Sequence, residues 1–488
     1  MQKTKTQKIQ QWTTANIVLN VVTYLLNAVI IVMLFYLSIY LNGLKGAINV
    51  SEYFKGVAAF LHFILSLVLI LAAMVMYFFF EDRDFLKHPI NSEMMFLIIE
   101  LFLVVCYAAG TYVNIYLRPV ALATILTLFL SDRKKALFMN IIYCILIFLF
   151  DSFGEVEFSI GNYPVLVMSF SSGIITCFCL DKVYSRLRLL AMSLLVSLPT
   201  LACVVMTVIE VGSENIVASL ICGAASGPLA VAIFMVLLPV FEMTFKKVSY
   251  FKYYELTAHK AKLIRKLIQQ APGTFNHSIV VSNIAEACAA AIDEDALLAR
   301  TCAYYHDIGK LRRPEFFKEN QADGVNPHDD LTPELSANII KSHAQDGYKL
   351  IQKNRLPQEI ADVCIEHHGT LPILYFYDKA RKFTDGDVDL QQYCYPGPKP
   401  TTKIAAIIMI ADGCEAAARS LQDRSRDNVK KVVRKIVNDR LALGQFDDCE
   451  ITLKELNIII HTVVNNLTGI YHSRIEYPKV NLDGMDLN

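Results

Sequence analysis

Long apolar runs fill the first half of this chain and constrain its fold more than any other feature of the sequence. A helix needs about 20 apolar residues to span a bilayer. Runs that reach or approach this length lie at 17–42, 56–80, 94–117, 163–180, 189–210 and 216–241. Two shorter runs, 119–130 and 136–150, flank the polar segment 131–135, which cannot rest unsatisfied in hydrocarbon. The sequence therefore predicts eight spans.

The charges of the predicted loops set the orientation of these spans. Lys3, Lys5 and Lys8 precede the first span, and positive charge there favours the cytoplasm. Eight crossings then return the second half of the chain to the cytoplasm. The same topology places the basic loop 131–135 inside and the acidic loop 151–158 outside. We therefore expect a multi-pass membrane protein whose C-terminal half is cytoplasmic.

The second half has the composition of a soluble protein. The change in composition along the chain predicts three segments: a transmembrane region at 1–241, a helical connector at 242–270 and a soluble domain at 271–488. The net charge of the whole chain is zero, which gives no support for a nucleic-acid polymer as partner. The twelve cysteines are scattered without paired metal-ligand spacing, so we expect neither a zinc site nor disulfides.

Histidine and aspartate recur on or beside the apolar helices predicted for the soluble half. The set consists of His277, His306, Asp307, His343, His367, His368 and Asp412. Side chains of these types bind manganese, iron or zinc. Neighbours on a helix diverge by about 100°, so the adjacent pairs suit a pocket for two ions better than a pocket for one. Asp307 has two oxygens and can bridge two ions, which would clamp the oxygens of a phosphoryl displacement.

Other residues carry two interpretations each. Lys310 follows Asp307 by three positions and shares its helix face, so it either contacts a substrate phosphate or is a solvated lysine at a helix C-terminus. Glu100 lies inside an apolar run, either as a functional carboxylate or paired within the bundle. A further group lies in loops where binding residues and loop scaffold are both common: Asn320, Asn326, His328, Tyr395 and Lys399.

Eight sequence blocks then point to a family. In chain order they are APGTFNHS, LLARTCAYYHDIGK, FFKENQ, GVNPHDDL, EHHGTLP, YPGPKP, IADGCEAAARSL and YHSRIEYP. They resemble the seven-transmembrane HD-domain phosphohydrolases of bacteria, the PgpH-type cyclic-di-AMP phosphodiesterases. The resemblance covers 241–488, and the membrane half fits its span count. It implies an all-α protein in which a polytopic transmembrane helix bundle precedes a cytoplasmic all-helical HD domain.

The resemblance also implies an activity and a site. The activity is hydrolysis of cyclic-di-AMP to pApA in second-messenger signalling, in the bacterial inner membrane, with two divalent ions, manganese or iron. The seven His and Asp residues above would be the ligands, with Asp307 bridging and catalytic. Lys310 would be catalytic and, with Tyr395 and Lys399, would bind substrate. The implied partners are a cyclic dinucleotide and a lipid bilayer, and the resemblance allows a homo-oligomer.

The sequence departs from the family pattern in two places. Family members carry a large extracellular domain after the first span, whereas only 43–55 joins the first two spans here. Cys394 stands where the family pattern leads us to expect an arginine, so substrate affinity or preference would differ if that arginine helps to bind substrate.

Three other functions remain open at this stage. The first is an HD hydrolase of another nucleotide, although the absence of a GYP tripeptide after His306-Asp307 disfavours cyclic-di-GMP. The second is a catalytically inert nucleotide receptor, which the complete ligand set disfavours. The third is a transporter, which the sparse intramembrane charge and the lack of paired broken helices disfavour.

Overall fold

A computed structural model of the chain describes residues 14–44, 57–153, 163–181, 183, 185–211, 215–321, 326–383 and 387–470. Some residues used in the sequence predictions lie outside these ranges: Lys3, Lys5, Lys8, most of 43–55, 154–158 and the YHSRIEYP block. The chain divides into two compact units, Met1–Tyr250 and Phe251–Asn488. In both, the described residues form helices and no β-strand, apart from an isolated bridge between Pro372 and Cys394. The all-α prediction is confirmed.

The first unit is a set of apolar helices. In chain order they are α1 (Thr14–Leu44), α2 (Val57–Glu81), α3 (Arg83–Lys87), α4 (Pro89–Tyr112), α5 (Leu122–Leu130), α6 (Arg133–Phe153), α7 (Tyr163–Cys179), α8 (Arg186–Val196), α9 (Leu198–Val211) and α10 (Ile216–Phe245). Among the described residues, six stretches of helix are long and apolar enough to cross a membrane. The shorter apolar helices Ile115–Leu130 and Tyr163–Cys179 occupy the two other predicted spans. The chain is thus a multi-pass membrane protein.

The polar segment 131–135 starts a helix, which the sequence interpretation missed. The backbone N–H of Lys135 donates to Oδ1 of Asp132 at 2.9 Å, so the aspartate satisfies one of the free N–H groups at the start of α6. The ammonium of Lys135 also lies 2.8 Å from Asp82 Oδ2. The run predicted at 136–150 therefore belongs to a 21-residue helix, longer than the apolar run alone.

Several buried polar side chains of this unit pair with one another. These pairs satisfy polar groups that would otherwise be buried without a partner among apolar helices. All nine residues of α5 are buried, and Thr124 Oγ1 donates to Asn140 Oδ1 at 3.0 Å. Arg118 forms a two-pronged ion pair with Asp151, with N–O distances of 2.5 and 3.0 Å. Oε1 of Glu100 is buried without a hydrogen-bond partner among the described residues, so the paired interpretation of Glu100 gains no support here.

The second unit is a helical domain around one apolar core. Its helices are α11 (Tyr250–Thr257), α12 (Lys262–Gln270), α13 (Pro272–Ala291), α14 (Ala296–Tyr305), α15 (Pro333–Lys353), α16 (Gln358–Glu366), α17 (Leu374–Phe383), α18 (Lys403–Arg419), α19 (Arg426–Ala442) and α20 (Leu453–Ile470). The apolar segment 404–411 of α18 is buried on every side, as expected of a central helix.

The predicted connector, 242–270, is divided between the two units. α10 ends at Phe245, and Lys246 has the left-handed φ of 53° that closes this helix. α11 and α12 then follow as separate helices. Leu256 and Leu263 are buried in the core of the second unit, and the Tyr305 hydroxyl donates to the Leu256 carbonyl at 2.8 Å. Residues from Phe251 onward therefore fold with the soluble unit.

Candidate metal centre

Five helices of the second unit carry the seven predicted ligands. His277, His343 and Asp412 lie within α13, α15 and α18. The other four occupy the ends of two helices, because His306 and His367 are the C-caps of α14 and α16. Asp307 and His368 follow where the backbone leaves those helices, so each adjacent pair can turn both side chains toward one pocket.

Asp307 lies at the centre of the cluster. Its Oδ2 atom is 3.6 Å from Nε2 of His277 and 3.2 Å from Nε2 of His306. Its Oδ1 atom is 3.2 Å from Nε2 of His343 and 3.7 Å from Nε2 of His367. Each carboxylate oxygen thus faces a different pair of imidazoles, which is the arrangement that a bridging carboxylate requires.

Asp412 contacts two imidazole atoms of the cluster. One of its oxygens lies 3.0 Å from Nε2 of His277, and the other lies 3.8 Å from Nδ1 of His368. Among the described residues, ligand atoms come within 4.8 Å of one another in three overlapping groups. Two of them are His277, His306 and Asp307, and Asp307, His343, His367 and His368. The third, His306, His367 and Asp412, links the first two. The first two groups share Asp307.

Two buried atoms of the cluster show that it suits a cation. Nε2 of His306 and Oδ1 of Asp307 are buried and have no hydrogen-bond partner among the described residues. Leaving such atoms unsatisfied is costly, and buried polar groups are nearly always paired. A divalent ion would satisfy both, because an imidazole lone pair and a carboxylate oxygen are its ordinary ligands.

Backbone carbonyls fix the orientation of three imidazoles. Nδ1 of each ring lies within hydrogen-bond distance of a carbonyl oxygen of the preceding helical turn: His306 with Ala303 at 2.7 Å, His343 with Ile340 at 2.6 Å and His367 with Val363 at 3.1 Å. A ring that donates from Nδ1 keeps the lone pair on Nε2. All three Nε2 atoms face Asp307, so these rings are oriented for binding a metal.

The electrostatics divide the histidines into two kinds. Burial lowers the pKa of His367 to about 3, helped by the neighbouring histidines, so this ring is neutral, as a ligand must be. Burial also acts to lower the pKa of His277, but hydrogen bonds to Asp412 and Glu415 raise it to about 10. Burial acts to raise the pKa of Asp412, but His277 holds it below its usual range. Without metal, His277 therefore carries a proton between two carboxylates.

Glu415 is a site residue that the sequence interpretation missed. Its Oε2 atom lies 2.6 Å from Nδ1 of His277, and its Oε1 atom accepts a hydrogen bond from Nε of Arg419 at 3.0 Å. A carboxylate behind a ligating imidazole orients the ring and makes it more basic. The available signal was its position three residues after Asp412 on α18, which places both carboxylates on one helix face.

Lys310 lies beside the cluster, within the 3₁₀ turn Ile308–Arg312. Its Nζ atom is 2.8 Å from Oδ2 of Asp307 and 2.8 Å from Oε1 of Glu319. Glu319 also accepts a hydrogen bond from the Thr274 hydroxyl at 3.1 Å, which ties the FFKENQ block to the start of α13. Glu319 was missed as well, because its role depends on a contact that helical spacing does not predict.

The loop residues divide into neighbours of the cluster and scaffold. Tyr395 stacks on the ring of His368 with centroids 4.3 Å apart. Lys399 pairs instead with Asp447, at 3.2 Å. Asn320 accepts a hydrogen bond from the backbone of Thr274. The two other candidates also make loop contacts, since Asn326 accepts from the His328 backbone and His328 Nε2 lies 2.9 Å from the Phe316 carbonyl.

An open cleft of about 750 Å³ lies next to Tyr395. Its walls carry side-chain amides, hydroxyls, a lysine and a thiol, from Asn338, Lys341, Ser342, Gln345, Thr370, Gln391, Gln392, Cys394, Tyr395 and Pro396. Ser342 directly precedes His343, and Tyr395 contacts His368, so the cleft adjoins the metal cluster. The volume lies within the usual range for ligand sites.

Comparison with known proteins identifies the family. A model for the 7TM receptor with intracellular HD hydrolase matches residues 59–249, and a model for the HD domain matches residues 274–417. The cyclic-di-AMP phosphodiesterase PgpH of Bacillus subtilis is 35% identical over 452 residues, which are 89% of this chain and 62% of that protein. The two halves of the chain thus match the two parts of a seven-transmembrane HD-domain hydrolase. The family resemblance found in the sequence is thereby confirmed.

Other members of this family match the soluble half. The cyclic-di-AMP phosphodiesterase PgpH of Listeria monocytogenes is 46% identical over 241 residues, 49% of this chain and 33% of that protein. The crystal structure of its HD domain is 46% identical and covers 43% of this chain and 99% of that chain, with a TM-score of 0.42. The structure of that domain in complex with cyclic-di-AMP gives 47% identity, 44% and 99% coverage, and the same TM-score. The chain spans less than two thirds of the length of both curated relatives.

Proposed function

We propose that this protein is a membrane-bound phosphodiesterase that hydrolyses cyclic-di-AMP to pApA with a centre of two divalent ions, manganese or iron. The observation that carries the proposal is the position of Asp307, whose two oxygens each face a different pair of imidazoles. The names of the two PgpH relatives support the substrate. The multi-pass first unit supports the membrane location, and we propose the bacterial inner membrane with the second unit in the cytoplasm.

The seven ligands divide between two ions around the shared Asp307. We assign His277, His306 and Asp412 to one ion. We assign His343, His367 and His368 to the other. When bound, two such ions polarise a phosphoryl oxygen and lower the pKa of water at the site.

The remaining residues bind and position the substrate. The ammonium of Lys310, held by Glu319, donates to a phosphate oxygen as a fixed positive charge. Tyr395, packed on His368, offers an aromatic face at the mouth of the cleft, where a purine can stack. The amides of the cleft supply donors and acceptors that suit a purine edge. Contact between Lys399 and substrate remains a prediction from the family resemblance. The segment boundaries 1–241, 242–270 and 271–488 remain predictions from the composition of the sequence.

Cys394 supports hydrolysis of another nucleotide as a second candidate. It lines the cleft at the position where the family pattern predicts an arginine. A thiol replaces a cation there, which removes one attraction for a phosphate or a purine edge. The dimetal chemistry would be unchanged, and the preferred nucleotide would differ. The inert-receptor alternative is disfavoured, because the structure gathers all seven predicted ligands.

The test is a substrate panel with the full-length protein in detergent, loaded with manganese or iron. Cyclic-di-AMP, cyclic-di-GMP, ppGpp and simple nucleotides are offered side by side, and the products are identified by mass. Selective conversion of cyclic-di-AMP to pApA is expected. Preference for another nucleotide would support the second candidate, and metal binding without turnover of any nucleotide would support a receptor. Asp346→Asn, a carboxylate paired with Arg312 outside the cluster, is the control for changes in the cluster.

A further inference from the structure

The helix α19 has one face buried in the soluble unit and one face that is strongly basic. Val429, Val433 and Val437 are buried and pack into the core. With about 100° between successive residues, two basic pairs spaced four apart lie outside this buried face: Lys431 and Lys435 lie opposite the valines, and Lys430 and Arg434 lie along one flank. We call these four residues the basic face.

The charge of the basic face is not neutralised within the protein. None of its four residues forms an ion pair or hydrogen bond in the part of the chain that the structure describes. Lys403 of the same unit, in contrast, contacts Glu294 at 3.2 Å and Glu455 at 2.6 Å. α19 contains six basic and two acidic residues, a net charge of +4, in a chain whose net charge is zero.

The basic face is separate from the candidate metal centre. All seven ligands come from other helices of the unit or the residues that follow them. No residue of α19 lines the cleft beside Tyr395. A role in holding the two ions or the substrate therefore does not explain these four cations.

We infer that the basic face binds the anionic headgroups of the bilayer in which the protein's own helices lie. Clusters of lysine and arginine near a membrane are attracted to anionic lipid. The chain itself keeps the soluble unit at the membrane, because this unit begins at Phe251 and the last membrane helix ends at Phe245. A permanent tether raises the effective concentration of lipid around every cationic surface of the unit. The four positive charges of the basic face are therefore sufficient for contact with the bilayer.

A nucleic-acid polymer suits the same face less well. Proteins that bind single strands combine positive charge with aromatic side chains on which bases stack. The sequence of α19, RDNVKKVVRKIVNDRLA, contains no aromatic residue. Four long cationic side chains can contact a surface of headgroups, which requires no contact with bases. The inference concerns lipid contact alone and does not depend on the proposed catalytic function.

The test uses the full-length protein in lipid nanodiscs, where both membrane faces are accessible. The rate of lysine acetylation by a water-soluble reagent is measured at Lys430, Lys431 and Lys435 by mass spectrometry, in phosphatidylcholine alone and in mixtures with phosphatidylglycerol. Lys349 and Lys353 of α15 are exposed lysines with the same four-residue spacing and serve as internal controls. One basic residue near an anionic surface contributes about a fivefold gain in affinity. We therefore expect phosphatidylglycerol to slow acetylation of α19 about fivefold or more, and high salt to remove the effect.

Two outcomes would overturn the inference. Equal acetylation rates in both lipids would show that the face does not contact anionic headgroups. Equal or stronger protection by polyadenylate in pure phosphatidylcholine would assign the face to a nucleic acid. A matched pair of variants provides a second measurement, since Arg434→Gln leaves the three reporter lysines in place and should weaken their protection. Lys353→Gln should leave the protection of these lysines unchanged. Equal protection in both variants would also contradict the inference.

Discussion

The imidazole of His277 lies between two carboxylates, with Nε2 3.0 Å from Asp412 and Nδ1 2.6 Å from Glu415. Only one of these contacts faces the interior of the cluster. Asp412 lies on the side where an ion would bind, and Glu415 lies behind the ring. The two carboxylates therefore have different roles although they are three residues apart on the same helix.

Removal of the rear carboxylate should weaken metal binding without unfolding the protein. Glu415→Gln keeps the shape of the side chain but removes the charge that orients His277 and makes it basic. Loss of such a partner typically costs about 10- to 100-fold in metal affinity. Titration of manganese into the metal-free protein measures the change. Glu359→Gln, an exposed glutamate on α16, should leave the affinity unchanged; an equal loss in both variants would contradict the role given to Glu415.

Removal of the bridging carboxylate should abolish both turnover and full metal occupancy. Asp307→Ala deletes a side chain whose two oxygens each face a different pair of imidazoles. Because the residues of such a site act as a unit, the rate should fall by several orders of magnitude. Metal content by mass spectrometry and hydrolysis of cyclic-di-AMP are measured on the same sample, with circular dichroism to verify the fold. Substantial activity in this variant would rule out the dimetal centre.

Glu319 should act on substrate through Lys310. In Glu319→Gln the ammonium loses one of its two carboxylate partners and is less firmly held for the phosphate, so we expect KM to rise about tenfold, the equivalent of about 1.4 kcal/mol. Lys310→Gln should have a larger effect. If Glu319 acts only through Lys310, the double variant should be no worse than Lys310→Gln alone. Additive losses would show that Glu319 has a separate role.

Metal affinity should increase with pH. Burial lowers the pKa of His277 while Asp412 and Glu415 raise it to about 10, so the metal-free ring is protonated at neutral pH and must release a proton before Nε2 can bind an ion. Below pH 10 the affinity should therefore rise about tenfold per pH unit for each proton released. Calorimetric titration in buffers of different ionisation enthalpy counts these protons. A proton count near zero at pH 7 would contradict the charged state assigned to His277.

The same raised pKa predicts how the metal-free protein responds to pH. A histidine whose folded pKa is above its ordinary value of 6.5 stabilises the fold fully below that ordinary value. This contribution is lost as pH rises toward 10. The metal-free protein should therefore lose thermal stability between about pH 6.5 and 10, and the effect should disappear in His277→Gln. Unchanged stability across this interval would contradict the prediction.

Gly309 should tolerate no side chain. A Cβ atom at this position would lie 1.9 Å from the backbone oxygen of His343 and 2.5 Å from the backbone nitrogen of Gly347. Backbone atoms cannot move aside as a flexible side chain can, so Gly309→Ala should cost about 1–3 kcal/mol and displace His343. Gly469→Ala in α20 is the matched control, because nothing lies within 4 Å of its added Cβ atom. Thermal unfolding and metal titration of both variants test the prediction.

Some residues of this site could be predicted from the sequence, and others could not. The seven candidate ligands stood out because their residue types and their order along the chain are unusual, and the structure brings their side chains together; their role as ligands stays a prediction. Glu415 and Glu319 were missed because their roles arise from contacts: Glu415 meets a histidine 138 positions away, and no periodicity encodes that pairing. The start of α6 was also missed because of a contact. The charged residues of 131–135 argue against a membrane helix, and the sequence does not show that Asp132 bonds to the backbone of Lys135.

The distribution of the candidate ligands along the chain has a consequence for the amount of the protein in a cell. His277 lies near the start of the soluble unit and Asp412 lies in its central helix, with three other ligand-bearing helices between them in sequence. Ions that bind only the folded arrangement stabilise it in proportion to the logarithm of their free concentration. A cell deprived of the proper metal would then expose more of the unfolded chain to its proteases. Such a cell would contain less of the protein, not only a less active form of it.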